Sequence, residues 1–373
     1  MNEPVLGVIL LNSLNNPRLT VSPYLVFVLI HSIQYGLGYL SMAIKPIQWA
    51  GQDVWVSVLL TGISFHVVIW MIYQILDRNE SDLISIHHIH FGKWIGGGLN
   101  FFFVIYFLLN SSFQLRLFIE IIQVWLFPEL KAWPLALVLL LLVYYIVSGG
   151  FRVIMGICML SLAQHTLIFS MFFTAPFYHY NNLLPIMNHS LHDIIQASKE
   201  LTFPYLGVEI LMFCYTFIKT PQKSQKWAHL GNLITTFFYL LIIFFSLLLF
   251  NFDQLSKEIW PAFTKYKFVH FPFIERFDFI GASFLIFGLF PIVCIEMWVS
   301  SRVVKNIFNV KQLTVLPFFL IVIFIAVCLI PDRQSIEGIQ NMLSRIGFYI
   351  IYVYIPFLFL YDIIRMKLKV KRT

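Results

Sequence analysis

An all-α integral membrane protein of about ten transmembrane helices is the fold this sequence predicts, and three observations carry it. The composition is too apolar for water, the apolar residues fall into ten runs of membrane length, and two of those runs are broken at mid-depth. Of the 373 residues 59% are hydrophobic and 12% charged, with a mean hydropathy of +0.82. A soluble domain carries roughly 25% charged residues, so the bilayer is the solvent. Forty phenylalanines and nine tryptophans suit lipid-facing surfaces and interfacial belts. The net charge of +7 would suit a nucleic-acid partner, but the basic residues sit in short loops and in a tail from Arg365 to Arg372, where they set orientation. Cys158, Cys214, Cys294 and Cys328 lie inside apolar runs without CxxC spacing, so free thiols are expected. The opening MNEPVLGVILLNSLNN lacks the basic region of a secretory signal.

The predicted spans are 20–44, 54–75, 95–122, 132–148, 153–177, 199–218, 227–250, 277–299, 314–330 and 342–364. One domain over 20–364 follows, with a cytoplasmic arm at 1–19 and a basic cytoplasmic tail at 365–373. With the first terminus inside, fifteen basic residues face the cytoplasm against nine outside. The positive-inside rule then places both termini in the cytoplasm. Three connecting stretches read as structured: SDLISIHHIHFGKW (81–94), SRVVKNIFNVKQ (301–312) and NFDQLSKEIWPAFTKYKFVHFP (251–272). In the second, Val303, Val304, Ile307 and Phe308 share one helical face opposite Arg302, Lys305 and Lys311, which predicts a helix lying at the headgroups. His87, His88 and His90 are read as a solvated helix face, since they lack the i, i+4 spacing of a metal pair. His31, His66 and His165 fall in separate spans and are read as packed. No catalytic motif, metal set or cofactor fingerprint is present.

Span one meets Gln34-Tyr35-Gly36-Leu37-Gly38 where an unbroken helix wants bulky residues. Span six carries Pro204-Tyr205-Leu206-Gly207, then Glu209 at depth. Unpaired backbone cannot face lipid, so both breaks must line protein or a cavity. They lie five spans apart, an odd number, which predicts a five-plus-five inverted repeat with discontinuous helices one and six around a ligand site. Arg116 and Glu120, one turn apart in span three, are expected to pair, or Arg116 to pair with Glu209. Glu296 is the remaining acid at depth.

The ordered motifs FGKWIG, SSFQLRLFIE, SGGFR, FPYLGVE, IWPAF and FIERFD, with the GLG break, resemble the B subunit of spore germinant receptors, the endospore germination permease family. The resemblance runs from about residue 20 to the end. It implies the amino acid-polyamine-organocation transporter fold, with a site between spans one, three, six and eight. It also implies A and C partner subunits in the spore inner membrane and a small nutrient ligand such as an amino acid. Carried onto this chain, Gln34, Tyr35, Gly36, Leu37 and Gly38 supply contacts from span one. Pro204, Tyr205, Leu206, Gly207 and Glu209 face them, and Arg116 and Glu120 match charged positions of span three. A receptor that triggers germination is the reading preferred, ahead of a proton-coupled amino-acid transporter and of a scaffold that binds nothing small. Only Ser283 stands where sodium coupling wants paired hydroxyls.

Overall fold

The computed structural model describes residues 20–270 and 274–370, with side chains to 368; the arm expected over 1–19 and the end of the tail lie outside the described residues. Among the described residues seven helices are long and apolar enough to cross a bilayer: Ile44–Asn79, Leu83–Trp125, Phe151–Phe177, Pro221–Leu249, Phe277–Phe308, Gln312–Leu329 and Arg333–Leu368. Three shorter apolar helices, Leu25–Gln34, Ala132–Ser148 and Thr202–Phe217, fall where spans one, four and six are expected.

Burial follows position in the bundle. Span eight runs through the middle, and every residue from Pro291 to Ser301 is buried against spans three and five. Span nine is peripheral, and Phe318, Ile321, Ile325 and Leu329 form an exposed stripe three and four residues apart. In water such a stripe would drive aggregation; against acyl chains it costs nothing.

Three connections depart from expectation. The stretch 81–94 is helical, but its His87 and His90 are not solvated. Asp82 caps it by accepting from the Ser85 amide at 3.1 Å, and Gly92, at φ 77°, turns the chain into span three. His87 is fully buried and bonds Asn100 at 2.7 Å and the Tyr354 hydroxyl. His90 sits between Asp362, at 3.2 Å, and Arg365. The last helix covers this segment, which periodicity within 81–94 could not reveal. The stretch 301–308 is likewise no separate headgroup helix, because Ile286–Phe308 is continuous. Its Arg302 turns inward, ion-pairs with Asp82 and lies 4.5 Å over the Phe217 ring. Before span six, a capped amphipathic helix, Leu191–Glu200, replaces the expected start of the span.

The stretch 251–270 folds into short helices, Phe252–Leu255, Pro261–Thr264 and Lys265–Phe268, of which Pro261–Thr264 packs against the Leu37–Ser41 turn of span one. Lys265 is buried there and donates to the Ile242 carbonyl at 2.9 Å and to Ser246 Oγ at 3.1 Å. Burial pushes its ammonium down to about 7. The unfolded chain, at about 10.4, holds the proton that the folded chain has released between these values. Stability should therefore rise as pH increases from about 7 towards 10. Melting of the detergent-solubilised protein across this window checks it, and Lys265→Met should flatten that part of the slope.

Candidate functional site

Span one stops at Gln34 because Tyr35, at ψ 48°, and Gly36, at ψ −146°, leave the helical region; a short 3-10 turn, Leu37–Ser41, then continues outward. Span six stops at Tyr205 and resumes after Gly207, whose φ of +116° only glycine adopts without strain. The breaks pack on one another. A Cβ at Gly207 would meet Ile33 Cγ2 at 2.2 Å, and Gly38 lies over Phe203 and Pro204.

The carbonyls freed by both breaks are met by span seven. Tyr239 Oη lies 2.6 Å from the Gln34 carbonyl and 2.9 Å from the Pro204 carbonyl. Gln34 Nε2 donates to the Tyr205 carbonyl at 3.0 Å and to Asn232 Oδ1 at 3.1 Å. Glu209 turns back on its own break: its Oε2 accepts from the Gly207 amide at 2.8 Å and its Oε1 from Tyr106 at 3.1 Å.

Between the breaks and spans three and eight lies a narrow cavity of about 20 Å³. Of the residues singled out in the sequence, Gln34, Gly36, Gly38, Pro204, Leu206, Gly207 and Glu209 line it. Five do not. Tyr35 turns to the far side of span one, where it stacks on Tyr39 and His165 at 4.6 and 4.3 Å. Leu37 is buried in the core, and the Tyr205 hydroxyl points to Thr236 at 3.1 Å. Arg116 donates to the Ile330 carbonyl at 3.0 Å and Glu120 pairs with Arg333 at 3.1 Å, so neither expected Arg116 pair forms. Both lie towards the C-terminal end of span three, where the end of span nine supplies the partner of Arg116 and the start of the last helix that of Glu120.

The sequence reading missed the polar wall opposite the breaks. Tyr106, Asn110 and Gln114 stand four apart on span three, and Ile292 and Glu296 four apart on span eight, so each set faces the cavity from one side of a helix. Glu296, whose role was left open, accepts from Asn110 Nδ2 at 2.6 Å and from Ser111 Oγ at 2.5 Å. That four-residue spacing of polar groups in an apolar run was a signal in the sequence. Among the described residues no group of His, Cys, Asp or Glu is placed to hold a metal ion.

The geometry separates the glycines. Gly207→Ala should destabilise the protein by about 1–3 kcal/mol through its positive φ alone, with the Ile33 clash added. Gly38→Ala, whose nearest atoms are 3.5 Å away or more, should leave the melting temperature nearly unchanged. Thermal unfolding of the two purified variants measures the difference.

The family model described as spore germination protein matches residues 20–337. The spore germination protein GerQB of Bacillus cereus is 41% identical over 94% of this chain and 97% of its own length. The spore germination protein YndE of Bacillus subtilis is 22% identical over 81% of this chain and 85% of its own. Spore germination protein B2 of the same organism is 24% identical over 67% and 70%. Matched over most of its length by the family model, and nearly end to end by a relative above two-fifths identity, the chain belongs to the spore germination protein family.

Proposed function

We propose that this protein is the B subunit of a nutrient-germinant receptor, binding a small molecule in the cavity between its two helix breaks and passing the signal to A and C subunits. The observation that carries the reading is the cavity itself. Two mid-membrane breaks converge on it, together with two carboxylates and a stripe of polar side chains from spans three and eight. The germination names of its relatives supply the process. In this reading the ten apolar segments form two inverted five-helix repeats, both termini are cytoplasmic, and the membrane is the inner membrane of the spore. The A and C partners come from the family resemblance.

A second reading, a proton-coupled amino-acid transporter, draws on one observation: the cavity holds two carboxylates, Glu209 and Glu296, whose recorded partners are all neutral donors. Labelled amino acid accumulating in proteoliposomes under a proton gradient, without other subunits, would favour it.

The receptor reading predicts that spores lacking the gene lose the response to one nutrient or nutrient mixture and keep the response to others. Restoring the gene with Asn110→Leu, which puts a branched apolar group where the cavity is polar, should bring back normal protein levels without that response. A rate of germination measured by loss of optical density reads both. Full recovery by the Asn110→Leu gene would remove the cavity from the mechanism.

A further inference from the structure

We infer that the cavity between the two breaks takes a ligand bearing a positively charged amine, held between Glu209 and Glu296, and that it has no place for a ligand carboxylate at the span-six break. The inference rests on the cavity being the ligand site and adds the chemistry of the ligand.

An interrupted helix invites an anion, because the amides at the start of its second half are unpaired and carry partial positive charge. Here that position is taken from within. The Gly207 amide donates to Glu209 Oε2 at 2.8 Å, so the chain's own carboxylate stands where a ligand's would. An incoming carboxylate would have to displace it and then lie beside it.

The rest of the lining points the same way. Glu296, 2% exposed, faces Glu209 across the cavity from span eight, and its partners are the neutral side chains of Asn110 and Ser111. Two carboxylates this deep need a positive charge or protons to be tolerated. Gln34 and Gln114, 2% and 5% exposed, line the same space, each with its amide oxygen unpartnered. For Gln34 the assignment is fixed, since Nε2 is committed to Tyr205 and Asn232 and leaves Oε1 free. An orphaned buried acceptor costs about 1–3 kcal/mol until a donor meets it.

What the walls lack, then, is N–H donors and one positive charge, and an ammonium group supplies both. The carbonyl end of Leu25–Gln34, the negative pole of that half-helix, points to the same place. A bare inorganic cation fits less well. It needs oxygens closing on a single point, whereas these acceptors are spread over spans one, three, six and eight. An amine carried on a small molecule reaches the carboxylates while its other polar atoms reach the glutamines.

The test is a matched panel on the purified full-length protein in detergent: L-alaninamide and propylamine, each an amine without a carboxylate; propionate and N-acetyl-L-alanine, each a carboxylate without an amine; L-alanine with both; and sodium chloride alone. Thermal protection and calorimetric titration read binding. Both amines should protect, the two acids should not, and L-alanine should do no better than L-alaninamide. Glu296→Gln, which keeps the shape of the side chain, should weaken amine binding about tenfold, the size expected for losing one charged hydrogen bond. Protection by the acids but not the amines, protection by sodium chloride alone, or no effect of any amine on the wild-type protein would each overturn the inference. Spores of the deletion strain separate the two levels. Unaltered germination with intact amine binding removes the receptor role and leaves the amine site standing, whereas lost germination without amine binding does the reverse.

Discussion

Backbone groups left unpaired in the middle of a membrane are the constraint on which this structure depends. Two helices stop at depth, and each stop frees amides and carbonyls that lipid cannot satisfy. Span seven resolves most of the problem with two side chains. Tyr239 places one hydroxyl against a carbonyl from each break, and Asn232 holds the Gln34 amide that reaches the third. Glu209 resolves the remainder by folding onto the Gly207 amide. Once these bonds are made, the breaks are fixed face to face, and Gly207 must be glycine both for its φ and for the approach of Ile33. The cavity is what remains between this assembly and spans three and eight.

That geometry explains which parts of the architecture were legible in the sequence. Membrane spans announce themselves by length and composition, and glycine or proline in an apolar run marks a break without any knowledge of neighbours. Gln34, Gly36, Gly38, Pro204, Leu206, Gly207 and Glu209 were accessible for that reason, since each belongs to a local irregularity. Tyr35 and Tyr205 belong to the same irregularities yet point elsewhere, because a break changes side-chain direction from one residue to the next. Local sequence places a break and does not orient it.

Charges were less legible than shape. Arg116 and Glu120 are one turn apart and read as a pair, but each finds its partner on a segment more than two hundred residues away in the chain. His87, His90 and Arg302 read as solvated groups and are covered by the last helix or by span six. In each case a long side chain near the end of a helix chose a partner from another element, and helical periodicity carries no information about that choice. The stripe of Tyr106, Asn110 and Gln114 differs: its four-residue period lies within one helix and is readable from the sequence.

The bonds around the cavity also bear on how occupancy could become a signal. Spans one, six and seven are tied together through Tyr239, Gln34 and Asn232, while spans three and eight are tied through Glu296 with Asn110 and Ser111. Within the cavity the two groups meet at the hydrogen bond from Tyr106 to Glu209. A ligand shifts a conformational equilibrium only by what it binds differently in the two states. A molecule that bridges Glu209 and Glu296 adds a link between the groups where one hydrogen bond stood. Its affinity then depends on the distance between those groups, which in the proposed receptor is the coordinate that a partner subunit would sense.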